Sequence, residues 1–143
     1  MEPIRLATCT YQEFTPDMGT PVRTTAGYPR LSLPYKLVAH AKIVTPAWAL
    51  VQQAKKGLAE DAYEFQYRRQ LNEAGIDRIR EVMTAIAGAY DLESPVVLLC
   101  FDKLAVPGNW CHRTHFGRWY CEQTGDEVPE LGGTPKEIPP TLF

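Results

Sequence analysis

The chain has 143 residues, 45% of them hydrophobic, and a formal net charge of −2. This length and hydrophobic content are enough for one domain with a hydrophobic core, and the length is too short for two domains. No apolar run approaches the roughly 20 residues of a transmembrane helix, and the N-terminus lacks the basic-then-apolar order of a signal peptide, so we expect a cytoplasmic protein with no membrane partner. The net charge argues against a general nucleic-acid coat but is compatible with a local basic patch.

Two strands and a surface loop are predicted in the N-terminal region. Residues 4–9 are mostly apolar with a β-branched residue near the end, and residues 21–25 form a second short run of strand formers. The segment 27–36 contains Pro29 and Pro34, which remove backbone donors and disfavour both a helix and a central strand. We expect this segment to be an ordered loop that crosses the surface.

Helical signals fill the middle of the chain. Thr45 is suited to be the N-cap of a first helix with Pro46 at its first position, and Gly57 is a natural stop. A second helix should begin near Glu60 and end at Gly75. Its apolar residues recur every four positions: Tyr63, Tyr67 and Leu71.

A third helix is predicted after Asp77, which can serve as its N-cap. Apolar side chains at helical spacing predict one buried face on this helix. They are Ile79, Val82, Met83, Ile86 and Tyr90. We expect this face to pack beneath the sheet against Val97 and Leu99 of a later strand.

The last elements are a buried strand and a helix. The apolar run within residues 95–102 predicts the strand, residues 107–109 a turn, and residues 110–124 a helix that stops at Gly125. Residues 127–131 are consistent with a short edge strand. The order strand, strand, helices, buried strand, helix predicts an α/β fold, a single-domain, Rossmann-like layered structure with a small, partly parallel sheet covered by helices. Residues 1–131 would form this domain, and residues 132–143 a Pro/Gly-rich C-terminal tail.

The four cysteines are unevenly spaced, and three of them lie between Cys100 and Cys121. This pattern does not resemble the disulfide framework of a secreted domain, so we interpret them as cytosolic thiols or metal ligands. Cys100, at the end of the buried strand, is most simply a small apolar filler.

The candidate site is the tripeptide Cys111-His112-Arg113, which should occupy the first turn of the last helix, where backbone N–H groups are free. A thiol, an imidazole and a guanidinium at such a corner can bind an anion or perform nucleophilic chemistry. Cys111 could be a nucleophile or anion holder, a structural thiol, or a metal ligand. His112 could orient the site or bond a carbonyl, and Arg113 could bind a phosphate or clamp an internal carboxylate such as Asp102.

Zinc is the competing interpretation, because Cys111, His112, His115 and Cys121 lie in one stretch. Helical spacing places Cys111 and His115 on one face and the other two elsewhere. A site from Cys111, His115 and a distant Cys9 or Cys100 stays open. No paired Cys-x2-Cys spacing is present, so we assign no metal ligands, and the sequence leaves the cofactor unknown.

The strand ending at Phe101, the short loop, the Cys111-His112-Arg113 signature and the aromatic-rich helix resemble the family catalogued as domain of unknown function 488. Residues 8–14 stand in place of that family's first strand and turn, and the pairs 22–23 and 29–30 resemble its basic loop. The repeat Tyr63, Tyr67, Leu71, Gly75 and the ending 124–131 resemble the version found in actinobacteria and their phages.

One departure from the family concerns the end of the first strand. Many members have a Gly-His-Ser-like turn where this chain has Thr8-Cys9-Thr10. If that histidine acts in relatives, Cys9 or Tyr11 would have to substitute for it here. The resemblance implies a fold and a site, without an established activity.

The leading hypothesis is a ligand or catalytic pocket at the C-terminal ends of the strands, with Cys111, His112 and Arg113 as its reactive residues. Its ligand-binding residues would be Arg23, Arg30, Tyr35 and Cys9, with Tyr28 as an alternative wall to Tyr35. Such a lining suits a small phosphate-bearing or nucleotide-like ligand. The alternative is a non-enzymatic module that binds a nucleic acid or a protein through the same basic loop. The oligomeric state stays open.

Overall fold

The computed structural model describes residues 4–30, 32–102, 104 and 110–133. Within these residues the chain forms four strands, four α-helices and two short 3-10 turns. The strands are β1 (Leu6–Thr10), β2 (Thr20–Arg23), β3 (Ala39–His40) and β4 (Val96–Cys100). The helices are α1 (Trp48–Lys55), α2 (Glu60–Ala74), α3 (Ile76–Tyr90) and α4 (His112–Thr124), and the 3-10 turns are Pro16–Met18 and Lys42–Val44.

The described strands form one parallel sheet in the order β1-β4-β2-β3. Strand β4 lies inside the sheet, and all five of its residues are buried, as its uninterrupted apolar sequence predicts. The predicted small α/β fold is confirmed, and in the described part the pairing is parallel throughout. The two-residue strand β3 was not predicted. Because every strand runs the same way, all four carboxyl ends meet at one edge.

Both faces of the sheet are covered, one by helices and the other by loop segments. Val96 and Leu98 of β4 join the core that the helices cover, together with Ile79 and Met83 of α3. Leu99 belongs to the opposite face, as does Val97. The prediction that the third helix packs on Val97 and Leu99 is therefore wrong. Side chains alternate between faces along a strand, and an entirely apolar strand gives no sign of which set meets the helices.

Loop segments cover the other face. Cys9, Tyr11 and Phe14 form a second core cluster there, against which Leu33 and Tyr35 pack. The proline-containing loop predicted over 27–36 thus lies on the sheet, and among its residues Leu31 lies outside the described ones. This arrangement separates the chain into a helix-covered face and a loop-covered face.

Two predicted helix caps differ from the structure. Helix α1 begins at Trp48 with Ala47 as its N-cap, because the hydroxyl of Thr45 donates instead to the carbonyl of Ala41, at 2.9 Å. Helix α3 begins at Ile76, two residues earlier than an Asp77 cap would place its start. Its N-cap is Gly75, whose φ of 88° lets α2 and α3 follow each other with no further linker.

The predicted C-terminal edge strand is a single bridge beside β1. The Thr8 N–H donates to the Pro129 carbonyl at 2.9 Å, and the Leu131 N–H donates to the Thr8 carbonyl at 2.7 Å. This segment therefore occupies the outer edge of the sheet. Residues 134–143 of the predicted tail lie outside the described residues. In the described part of the chain, no helix combines the length and apolar character that crossing a membrane requires.

Candidate functional site

A cleft of about 880 Å³ opens at the carboxyl ends of β2 and β4, where open α/β sheets place their ligands. Thr25, just after β2, and Cys100, the last residue of β4, both line it. Much of the rest of the lining comes from the loop after β2, from α1 and from the residues next to α4. It includes Tyr28, Arg30, Trp48, Lys55, Tyr63, Phe101, Asp102, Trp110, Cys111 and His112.

A smaller cleft of about 430 Å³ lies at the opposite edge of the sheet. Its lining includes Arg5, Pro95, Asp126 and Glu127. The cysteine and histidine side chains that could perform chemistry belong to the larger cleft, so the candidate site lies there.

The floor of the cleft is formed where β4 and α4 approach each other. Helix α4 begins at His112, and Cys111 is its N-cap with extended backbone (φ −147°, ψ 150°). The prediction that residues 110 and 111 lie inside the helix is therefore wrong. The extended backbone places the buried Cys111 beside Cys100 at the end of β4.

Cys100 and Cys111 are joined by a disulfide bond, with their Cα atoms 7.4 Å apart. This corrects the expectation that the cysteines are unpaired thiols, and it makes Cys100 more than an apolar filler. Cys9 and Cys121 are free. The predicted turn at residues 107–109, between the two bonded cysteines, lies outside the described residues.

His112 faces both sulfur atoms. Its Nδ1 lies 3.6 Å from the Sγ of Cys100 and 3.6 Å from the Sγ of Cys111. Its Nε2 lies 3.1 Å from the hydroxyl oxygen of Thr24, and that hydroxyl donates its proton to the carbonyl of Leu99 at 2.7 Å. Nε2 must therefore carry the hydrogen and donate to Thr24, which leaves the lone pair of Nδ1 directed at the sulfurs.

The imidazole of His112 is neutral. Burial lowers its pKa to about 3, and the neighbouring positive charge of Arg113 acts in the same direction. A neutral ring with a lone pair on Nδ1 can accept a proton from a thiol or bind a metal ion. The floor thus offers two sulfurs and one nitrogen to the cleft.

Arg113 does not line the cleft. Its Nε donates to Oε1 of Glu130 at 2.7 Å, and its side chain is 1% exposed. Consecutive residues of a helix point about 100° apart, so Arg113 projects away from the direction taken by His112. The predicted convergence of Arg113 with Cys111 on one pocket is therefore not found, whereas the alternative of a clamp on an internal carboxylate is, with Glu130 as the partner and not Asp102.

Arg23 supports the wall of the cleft from behind. Its Nε donates to the carbonyl of Thr25 at 2.8 Å, and its Nη2 donates to that of Ala26 at 2.6 Å. Its guanidinium also lies 5.3 Å from the ring centroid of Tyr28. With its Nε and Nη2 bonded to the loop, Arg23 holds Tyr28 in place, and it does not itself line the cleft.

The predicted residues Tyr35 and Cys9 lie on the loop-covered face. The Tyr35 hydroxyl donates to the carbonyl of Tyr11, and the Cys9 side chain is completely buried. Burial, followed by the negative charge of Glu130, raises the pKa of the Cys9 thiol to about 11. Neither residue lines the cleft.

Exposed aromatic rings form much of the wall. Tyr28 is 63% exposed, Trp48 57% and Phe101 41%. The basic side chains of Arg30 and Lys55 line the same cleft, as does the carboxyl group of Asp102, whose pKa is raised by burial. Sequence reasoning identified Arg30 and the alternative wall residue Tyr28. It missed Trp48 and Lys55, because nothing in the first helix indicates that it flanks the strand ends.

Other groupings of zinc ligands considered from the sequence do not form. The ring nitrogens of His115 lie 3.2 Å from a carboxylate oxygen of Glu60 and 3.5 Å from one of Glu64, on α2. Cys121 is partly exposed at the other end of α4. In the described part of the chain, the side chains that could jointly bind a metal ion are Cys100, Cys111 and His112, with ligand atoms within 4.8 Å of one another.

Alkylation should distinguish the four cysteines. In the folded, unreduced protein at pH 8 we expect iodoacetamide to label Cys121 alone, because Cys9 is buried with a pKa of about 11 and the other two sulfurs are bonded. After reduction, Cys100 and Cys111 should become reactive. Peptide mass spectrometry measures each site. Labelling of Cys111 without reduction would contradict the disulfide.

Comparison of the chain with protein-family models, curated proteins and solved structures finds no match. The resemblance to domain of unknown function 488 therefore stays a prediction, and the function must be inferred from the geometry of the cleft.

Proposed function

We propose that the protein binds, in this cleft, a small ligand that combines a planar ring with a phosphate or similar anionic group, as nucleotides do. One observation carries the proposal: exposed aromatic rings and two basic side chains line the same cleft whose floor is Cys100, Cys111 and His112. The volume, about 880 Å³, lies within the range of small-molecule sites.

The aromatic walls support a planar ligand. Tyr28 and Trp48 both line the cleft and leave more than half of their surface in solvent, so a ligand bound there could cover them. Arg23 braces the ring of Tyr28, and the Nζ of Lys55 lies 5.5 Å from the ring centroid of Trp48. A planar ligand could stack on either ring with little side-chain reorganisation.

The basic residues support an anionic group. Arg30 presents a guanidinium that can bind two phosphate oxygens at once, and Lys55 adds a second positive charge to the lining. Asp102 is the acidic member of the lining, and it could accept hydrogen bonds from a sugar or base. This distribution favours a ligand with separate polar and anionic ends.

A second candidate is a non-enzymatic module that binds the end of a nucleic acid. The observation that favours it is the burial of Cys111, which is 2% exposed and bonded to Cys100, together with aromatic rings on which bases could stack.

We also propose membership of the domain of unknown function 488 family, supported by the Cys111-His112-Arg113 tripeptide at the start of the helix after a buried strand.

Calorimetric titration with adenosine monophosphate tests the proposal. We expect Arg30→Ala to weaken binding about tenfold or more, because a hydrogen bond to a charged group contributes about 1.5–3 kcal/mol. Arg30 is exposed, so its loss should leave the melting temperature nearly unchanged. The matched control is Arg78→Ala, another exposed arginine, which lies on α3 and should not affect binding.

Three further ligands separate the alternatives. Adenosine should bind more weakly than its monophosphate, and inorganic phosphate more weakly still, if ring and anion both contribute. Binding of a short single-stranded oligonucleotide much more tightly than the mononucleotide would favour the nucleic-acid module. The absence of any heat of binding, and of any rise in melting temperature, with all four would contradict the proposal.

A further inference from the structure

We propose that Cys100, Cys111 and His112, once the two cysteines are reduced, form a three-ligand binding site for zinc or a similar thiophilic metal ion, with the fourth position open to the cleft. This inference goes beyond ligand binding by the walls. It rests on the sulfur and nitrogen atoms of the floor and not on the rings and cations that surround them.

The distances from nitrogen to sulfur already suit a tetrahedral metal. Nδ1 of His112 lies 3.6 Å from both Sγ atoms. Tetrahedral zinc with bonds of about 2.3 Å to sulfur and about 2.0–2.1 Å to nitrogen separates those ligand atoms by about 3.6 Å. The imidazole therefore needs little movement to join a metal shared with both sulfurs.

The orientation of His112 is fixed by groups behind it. Its Nε2–H donates to Thr24, and the Thr24 hydroxyl in turn donates to the carbonyl of Leu99. Metal-bound histidines typically use their second ring nitrogen in this way, which holds the ring and directs the other lone pair at the metal. This chain of hydrogen bonds has no part in the disulfide, yet it aims Nδ1 at both sulfurs.

The backbone leaves room for the sulfurs to separate. The Cα atoms of Cys100 and Cys111 are 7.4 Å apart, whereas disulfide-bonded cysteines usually keep them within 4.4–6.8 Å. A tetrahedral zinc ion needs its two sulfurs about 3.8 Å apart. Breaking the S–S bond allows that separation without bringing the two backbones closer together.

A water-soluble phosphine can reduce the disulfide before zinc binds. Reduction breaks the S–S bond; the phosphine gains the oxygen of one water molecule and becomes the phosphine oxide, and the two hydrogens of that water end on the two thiols. Binding of Zn²⁺ then releases both thiol protons to solvent and forms two zinc–sulfur bonds. Two thiolates neutralise the dipositive ion, which suits a site whose ligands are buried.

An open fourth ligand position is typical of catalytic zinc sites and not of structural ones. Two cysteines and one histidine form a ligand set of the kind found at catalytic zinc centres, where a water or substrate completes the tetrahedron. Thiolate ligands select zinc or copper(I) over magnesium and calcium. Because all three residues line the cleft, an anionic group of a molecule bound there could take the fourth position.

The test is a Zn²⁺ titration of the full chain after reduction with a water-soluble phosphine, with bound metal measured by mass spectrometry of the dialysed protein. We expect one zinc per reduced chain and none per oxidised chain. Cys100→Ser, Cys111→Ser and His112→Asn should each lower the affinity more than 100-fold, and Thr24→Val should lower it about 10–100-fold. The matched controls Cys121→Ser and Cys9→Ser should still bind one equivalent.

Cobalt(II) provides a second readout on the same samples. The reduced wild-type chain should give the intense visible absorption of tetrahedral cobalt thiolate, which His115→Asn should leave unchanged. Less than about one tenth of an equivalent of zinc in the reduced, folded wild type would overturn the proposal. Unaltered binding by both Cys111→Ser and Thr24→Val would do the same. Nucleotide titrations of the oxidised, metal-free chain test the wall of the cleft separately, so each proposal can fail alone.

Discussion

Replacing Glu130 with alanine should lower the free energy of unfolding by about 3–5 kcal/mol. Its carboxylate accepts the Nε–H of Arg113 at 2.7 Å, and the arginine side chain is 1% exposed. The same carboxylate accepts the hydroxyl of Thr8 at 2.8 Å. Removing it leaves an uncompensated positive charge inside the protein, which costs far more than a surface ion pair is worth. Urea denaturation measures the change.

Two further variants isolate the cause. Glu127→Ala removes an exposed carboxylate from the same segment and should change the stability by less than about 0.5 kcal/mol. The double variant Arg113→Met with Glu130→Leu should recover most of the loss, because an apolar pair can replace a buried ion pair at little cost. If Glu130→Ala behaves like Glu127→Ala, the ion pair does not contribute as described.

Replacing Trp119 with alanine should lower the free energy of unfolding by a similar amount, about 3–5 kcal/mol. The indole is 2% exposed within the core of the helix-covered face, and its Nε1 donates to the side-chain carbonyl of Asn72 at 2.9 Å. Truncation removes a large apolar surface and leaves a cavity between α4 and α2 that the surrounding helices fill only in part.

Trp48→Ala is the matched control, since Trp48 is 57% exposed at the cleft. Its loss should change the stability by less than about 0.5 kcal/mol. Circular dichroism should follow both melts, because tryptophan fluorescence is altered by the substitutions themselves. Trp119→Phe should fall between wild type and Trp119→Ala. Equal effects of Trp119→Ala and Trp48→Ala would mean that α4 is not anchored through this residue.

The sequence predicted the elements whose signals are local and periodic. Helix α2 shows its buried face in Tyr63, Tyr67 and Leu71, and the structure buries all three. The unbroken apolar run of β4 predicted a strand covered on both sides. Glycines follow the ends of α1, α2 and α4, at residues 57, 75 and 125. This is expected, because glycine adopts a positive φ without steric strain.

The site was less predictable, because its contacts join residues that are distant along the chain. The partner of Arg113 is Glu130, which only the return of the C-terminal segment to β1 brings near. The pairing of Cys100 with Cys111 depends on how closely the start of α4 approaches the end of β4. Helical spacing pointed to His115 as a companion of Cys111, but Cys111 lies just outside the helix, where that spacing does not apply.

The bridge between Thr8 and the segment around Glu130 also covers part of an edge of the sheet that another chain could otherwise pair with. Strand β1 forms one side of the sheet, and an uncovered outer strand offers its N–H and carbonyl groups to any extended segment nearby. Pro129 and Leu131 occupy those groups at Thr8. A chain shortened before residue 128 would lose this cover together with the partner of Arg113. We expect its exposed strand then to be a template for intermolecular strand addition.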